Sequence, residues 1–193
     1  MQVLDHLKER GLRQDTIVIF QSDHGHSTEE RAHFGGGSAG PYRGEKFSLF
    51  EGGIRVPAII SWPATLPAGE TRDQFATGCD WFPTILQLTH TRPGREAIDG
   101  QSLFPVLWAE TAPSPHRVFH WASGGGRDNR QWAVREGDWK LVVNGRGTEA
   151  GDKVFLSNLA ESVTEKVNVA AGHPDMVERL TKLHEEWAAE LGE

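Results

Sequence analysis

The chain has 193 residues, a formal net charge of −7, 37% hydrophobic residues and 24% charged residues. That balance is ordinary for a globular protein, and it provides none of the basic footprint that a nucleic-acid partner selects. No apolar run approaches the ~18 residues that span a membrane, and the single cysteine, Cys79, excludes an intrachain disulfide.

Taken in chain order, residues 1–10 are predicted as a helix. Val3, Leu4 and Leu7 recur at helical spacing, and Gly11 stands where a C-terminal cap belongs. The segment is charged and amphipathic, unlike a signal peptide. It has no N-cap, so the chain is expected to begin part-way through an element. Residues 15–22 form an apolar run suited to a strand covered on both faces. Residues 25–53 read as loop, broken by Gly35-Gly36-Gly37 and Gly40-Pro41. Residues 56–62 (VPAIISW) read as a second buried strand, and Pro63 and Pro67 punctuate its exit. Asp80 is the expected N-cap of a helix through Leu88, with Pro83 in its first turn. Residues 90–100 are expected as loop, and 101–109 as a short apolar segment broken by Pro105. Beyond Pro115 the runs 117–122, 131–136 and 139–143 predict a small antiparallel sheet, with a hairpin turn at Gly137-Asp138. A last helix is predicted from near Pro174, with Met176, Val177, Leu180, Leu183, Trp187 and Leu191 as its apolar stripe.

The chemistry concentrates where the first strand ends. Asp23, His24, His26, Glu29, Glu30 and His33 fall within eleven residues. Carboxylate and imidazole together can ligate a divalent ion; the alternative is a solvated loop with several histidines. Asp23 and His24 follow the strand directly and are the stronger candidates. His26, Glu29 and Glu30 are expected to face solvent. Lys46, beside Gly44, can deliver a point charge to an anion, or it can be a surface lysine. Arg43 and Arg55 are either anion contacts or partners of Glu45 and Glu51. The pair Gly52-Gly53 implies a close backbone approach or a positive φ.

These motifs have a family likeness. TIVIFQSDHG followed by GPYRGEKFSLFEGGIRVPAIISWP resembles the sulfatase family of the alkaline-phosphatase-like superfamily. CDWFPTILQL, DGQSLFPVL, WAVREGDWKLV and FLSNLAESVTEKVNVAAGHPDMVERL extend the resemblance over nearly the whole chain. It implies an α/β fold: residues 1–115 as part of an alkaline-phosphatase-like sandwich (the parallel-sheet portion), and 116–193 as a C-terminal subdomain of a small antiparallel sheet plus helix. It implies Asp23 and His24 as ligands of a divalent cation, most often calcium, with His24 alternatively on the sulfate. It implies Lys46 as the residue that contacts the sulfate oxygens. The substrate it implies is a sulfated small molecule or sulfated carbohydrate, and the parent protein is expected in the periplasm or secreted.

The family nucleophile is a formylglycine made from Cys or Ser in a Cys/Ser-x-Pro-x-Arg motif. The 193 residues contain no such motif. Cys79 precedes Asp80-Trp81-Phe82-Pro83 and is expected as a small buried residue instead. The chain thus reads as the C-terminal half of a sulfatase, with exposed apolar sheet edges unless the missing half or a second copy covers them. Alone it is expected to show little or no turnover. Two other readings stay open: a phosphate or phosphonate ester hydrolase of the superfamily, and a non-catalytic sugar-binding remnant. In the last, Trp121, Trp132 and Trp139 would bind sugar; otherwise they pack the sheet against the last helix. Residues 25–42 and 123–130 are expected to rim the pocket. His33 is a candidate general acid, or a plain loop histidine.

Overall fold

The structure, a computed structural model, describes residues 2–33, 35–92, 94, 98–124, 130–147 and 152–192. Its contacts divide the chain into two units, Met1–Phe20 with Ala58–His116, and Gln21–Pro57 with Arg117–Glu193.

The first unit begins with α1 (Gln2–Glu9). Gly11 closes it at φ +69°. Its N–H reaches Lys8 O at 3.0 Å, and Leu12 N–H reaches Leu7 O at 2.9 Å. This is a Schellman cap, and it needs the left-handed residue that glycine supplies. β1 (Val18–Gln21) and β2 (Ala58–Ser61) form a two-stranded sheet, shorter than the apolar runs suggested. Phe20 is 68% exposed and Ile59 58%, so these strands are not covered on both faces.

Asp80 stands at the N-cap position of α3 (Trp81–Leu88), as expected, but its side chain makes no cap hydrogen bond to that helix. Thr77 caps the preceding 3₁₀ turn at Gly78–Asp80 and forms a capping box with Asp80. Asp80 is fully buried instead, and its carboxylate accepts from Thr77 N–H (2.7 Å), Gln101 N–H (2.8 Å) and His116 Nε2 (2.7 Å). Thr84 donates to Asp80 O and accepts from Leu103 N–H, each within 2.8 Å. One buried carboxylate thereby ties α3 to the residues before α4 (Phe104–Trp108), where Pro105 sits in the first turn rather than breaking the segment. Cys79 is exposed, contrary to expectation, because the 3₁₀ turn directs Asp80 inward and leaves its neighbour outside.

The second unit is built on a four-stranded antiparallel meander, β3 (Val118–Ser123), β4 (Gln131–Glu136), β5 (Trp139–Val143) and β6 (Val154–Asn158), in that spatial order. Glu136 faces Trp139 across the expected hairpin, with Gly137 at φ +58°. The fourth strand was not foreseen. Strand alternation separates two faces. On one, Val134, Leu141 and Leu156 pack with Leu180 of α5 (Pro174–Glu190), alongside Trp132, Trp139, Met176, Val177 and Leu183. Leu180 is fully buried, which contributes about 2 kcal/mol. Trp132 stacks on His184 at 4.0 Å and Trp187 on His120 at 4.9 Å, so these rings pack the helix to the sheet. Leu191 lies past the helix and is 58% exposed. On the opposite face Ala133, Val142 and Phe155 pack against Leu49 and Phe50, with Ile54 and Trp121 beside them. The sheet therefore carries the segment that holds Lys46. No helix among the described residues is long and apolar enough to cross a membrane.

Candidate active site

The segment 25–53 is not pure loop: a 3₁₀ turn spans Glu30–Ala32 and a short helix, α2, spans Glu51–Ile54. Two backbone bonds join its ends. Gly25 N–H donates to Gly53 O at 2.9 Å, and Lys46 N–H donates to His26 O at 2.9 Å. A methyl group on Gly25 would strike Gly52 O, one on Gly52 the carbonyls of Arg43 and Gly44, and one on Gly53 those of Glu45 and Ser48. The Gly52-Gly53 pair is thus required by close approach, not by a positive φ. The consequence is that the Asp23-His24 turn and the lysine segment are fixed to one another.

His24 Nδ1 lies 2.7 Å from Gly25 O. A carbonyl can only accept, so Nδ1 carries the proton. Nε2 is then the ring atom with a lone pair, and it stands 3.1 Å from Asp23 Oδ2. Two acceptors this close require a proton or a cation between them. The separation suits neighbouring ligands of one ion with bonds of roughly 2.3 Å. The Asp23 side chain is 83% exposed, which leaves it open to such an ion. Among the described residues no group of three His, Cys, Asp or Glu side chains gathers as a metal site. The pair alone offers two donors to a cation.

Lys46 is mostly buried and pairs with Glu29 at 2.8 Å; Arg31 approaches the same carboxylate at 2.9 Å. Glu29 is therefore not the solvent-facing residue expected. The hydrogen bond from Lys46, then that from Arg31, holds its carboxyl down from 4.5 to about 2. A depressed carboxyl contributes stability above its ordinary value and loses it as pH falls through about 2. We expect the Glu29 carboxyl, followed by carbon NMR, to titrate near 2 and to move up towards 4.5 in Lys46→Gln; an unmoved titration would break the assignment. His26 is also partly buried, and its Nδ1 meets no hydrogen-bond partner among the described residues. Glu30 and His33 are exposed, and His33 sits at φ 52°. Of the rim stretch 123–130, residues 125–129 lie outside the described residues, as does Phe34 in 25–42.

Behind Lys46 lies a buried ion group that the sequence did not reveal. Lys140 Nζ, fully buried, is 2.8 Å from Glu51 and 3.1 Å from Glu165. Glu165 also accepts from Glu51 N–H at 2.5 Å. Arg55 pairs with Glu51 at 3.4 Å, as one reading had it. Arg43 does not pair with Glu45; it lies over Phe50 and donates to Glu165 O and Gly147 O.

Residues 1–91 match the sulfatase family. Over those residues the chain belongs to that family. Steryl-sulfatase of Homo sapiens is 39% identical over 127 residues, covering 63% of this chain and 22% of that protein. Arylsulfatase of Hemicentrotus pulcherrimus is 36% identical over 156 residues, covering 80% and 27% respectively. A solved Bacteroides thetaiotaomicron structure, described with the metabolism of multiple glycosaminoglycans, matches with a TM-score of 0.73 at 27% identity, over 96% of this chain and 41% of that one. The chain thus spans 22% and 27% of the two curated relatives. The likeness extends to the C-terminal sheet and helix and supports the alkaline-phosphatase-like fold. Membership of the sulfatase family implies a divalent metal ion and a formylglycine; the Asp23–His24 pair is compatible with the first.

Proposed function

We propose that these residues form one wall of a sulfuric ester hydrolase site, with residues 1–115 as part of the catalytic α/β domain and 116–193 as its C-terminal subdomain. In this reading Asp23 and His24 ligate a calcium ion, and Lys46 contacts the sulfate. The observation that carries it is the rigid link between the two groups: Gly25 to Gly53 and His26 to Lys46, each at 2.9 Å. Cleavage of a sulfate ester leaves negative charge on the sulfuryl oxygens and moves more onto the leaving oxygen. A lysine fixed by its backbone and by Glu29 stabilises that charge without reorganising first. The ammonium has three donors, so it can keep Glu29 and still donate to sulfate. The bound metal supplies further charge stabilisation. The formylglycine nucleophile of the family has no counterpart in this sequence, and a second polypeptide or more of the same protein would supply it. The substrate class is a sulfated small molecule or carbohydrate, the latter favoured by the glycosaminoglycan link of the Bacteroides relative.

Calorimetric titration tests this. The chain is expected to bind inorganic sulfate in the presence of calcium, with about a tenfold loss or more in Lys46→Ala. Calcium binding is expected to fall by a similar factor in Asp23→Ala. Sulfate binding indifferent to Lys46 would overturn the reading. Turnover of an aryl sulfate by the 193-residue chain would overturn the half-site assignment.

A further inference from the structure

Next to Lys46 the structure places a second cation on the same aromatic ring. Lys46 Nζ lies 4.9 Å from the centroid of Phe47, and Arg146 Cζ lies 5.3 Å from it. The ring itself is 43% exposed, on a residue held at φ +74°. That conformation is unusual for an aromatic residue and has to be imposed by its surroundings. The turn closed by Ser48 N–H to Glu45 O at 2.9 Å puts Phe47 at its third position, where a positive φ occurs, and Gln131, 7% exposed at the start of β4, anchors that turn. Its amide donates to Phe47 O at 2.5 Å and accepts from Arg146 N–H at 3.2 Å. Buried Ser48 adds a bond to Arg146 O at 3.0 Å, and Arg43 donates to Gly147 O at 2.5 Å. The turn bearing Arg146 is therefore clamped at several points to the segment bearing Lys46.

Solvation of a surface arginine needs no such clamp. Lys46 already has Glu29 as a partner, whereas Arg146 pairs with no carboxylate among the described residues. A guanidinium is a planar fork suited to two oxygens of one oxyanion. Resting on the reading of Lys46 as the sulfate contact, we propose that Arg146, spaced from Lys46 by Phe47, forms a second oxyanion subsite, so that the site prefers carbohydrate esters bearing a second sulfate group. Lys46 takes the scissile sulfate and Arg146 the other. Gln131 is a positioning residue, acting through the two backbones it joins.

The test compares D-glucosamine 6-O-sulfate with D-glucosamine 2-N,6-O-disulfate by calorimetric titration of the full chain with calcium present, at one ionic strength. The disulfate is expected to bind about tenfold more tightly. Arg146→Gln should abolish that preference. Lys182→Gln, which removes an equal charge from an exposed position on α5, should leave the preference intact. Phe47→Gly tolerates the positive φ and is expected to narrow the preference by removing the spacer. If Arg146→Gln and Lys182→Gln behave alike, or no preference exists in the parent chain, the subsite is wrong while the Lys46 reading stands. If neither sugar binds, or binding ignores Lys46→Ala, the Lys46 reading falls and the subsite with it.

Discussion

Lys140→Met is expected to destabilise the second unit more than any surface change could. Lys140 is fully buried between Glu51 and Glu165, at 2.8 and 3.1 Å, and both carboxylates are themselves buried. Burial pushes the Glu51 carboxyl up, but Lys140, with Arg135 and Arg55, outweighs this and holds it below its ordinary value. Glu165 goes the other way: burial, opposed by Lys140, leaves its carboxyl raised. Removing the one ammonium leaves two buried carboxylates without their shared cation. Breaking such a group costs about 3–5 kcal/mol, a fall of roughly 10 °C or more in the thermal midpoint. The pH dependence has a definite sign. Without Lys140 both folded-state carboxyls should rise, Glu165 further above its unfolded value and Glu51 against the remaining pull of Arg55 and Arg135. Stability is then retained at low pH and lost as pH rises through those raised values, so the deficit measured by thermal melts should be larger at pH 8 than at pH 5. A neutral triple variant, Glu51→Gln, Lys140→Met and Glu165→Gln, should recover most of the loss, because the cost lies in unpaired charge rather than in missing attraction. A deficit below about 1 kcal/mol, or one the triple variant deepens, would contradict the account.

This group marks the limit of what the chain disclosed before its structure. Local signals read well. Gly11 as a cap, Gly137 as a hairpin turn, and the stripe from Met176 to Leu183 each depend on residues within a few positions of one another. The proposed site was legible for the same reason: Asp23, His24 and Lys46 lie in one continuous stretch with recognisable spacing. Lys140 and Glu165 were not legible as partners of Glu51, because nothing in the spacing of residues 89 and 114 positions away announces a contact. A weak signal did exist. Lys140 alternates with Trp139 and Leu141 and shares a face with Val142, so the strand pattern already puts a charge on an apolar face. Asp80 does open α3, but only the fold shows that its carboxylate turns inward to meet Gln101 and His116 rather than capping that helix. Glu29 was misread because a glutamate in a polar loop defaults to solvent unless a lysine arrives from elsewhere, as Lys46 does. Arg146 and Gln131 carried no signal at all; their relevance comes from a sheet that brings residues 131 and 146 beside residue 47.

Gly53→Ala is expected to damage stability and the proposed site together, and this separates it from Lys140→Met. Gly53 lies in α2 with its backbone against the carbonyl oxygens of Ser48 and Glu45. Both obstacles are main chain, so no flexible side chain can yield. The methyl must push the 45–48 stretch away or shift α2. Overpacking of this kind costs about 1–3 kcal/mol, to which any loss of the Gly25 N–H to Gly53 O bond would add about 1 kcal/mol. The functional part follows from geometry. Gly53 O holds Gly25, next to the Asp23–His24 pair, and the 45–48 stretch carries Lys46. A shift of either segment separates the proposed cation ligands from the lysine, and misplacement by ~1 Å is enough to cost about a hundredfold in a preorganised site. If the two groups form one site, calcium should strengthen sulfate binding, and Gly53→Ala should lose that coupling even at a temperature where circular dichroism shows the sheet and α5 intact. Gly36→Ala is the internal control. A methyl there meets nothing within 4 Å, so neither the thermal midpoint nor the coupling should move. Unchanged coupling in Gly53→Ala would mean that the glycine contact does not join the two halves of the site.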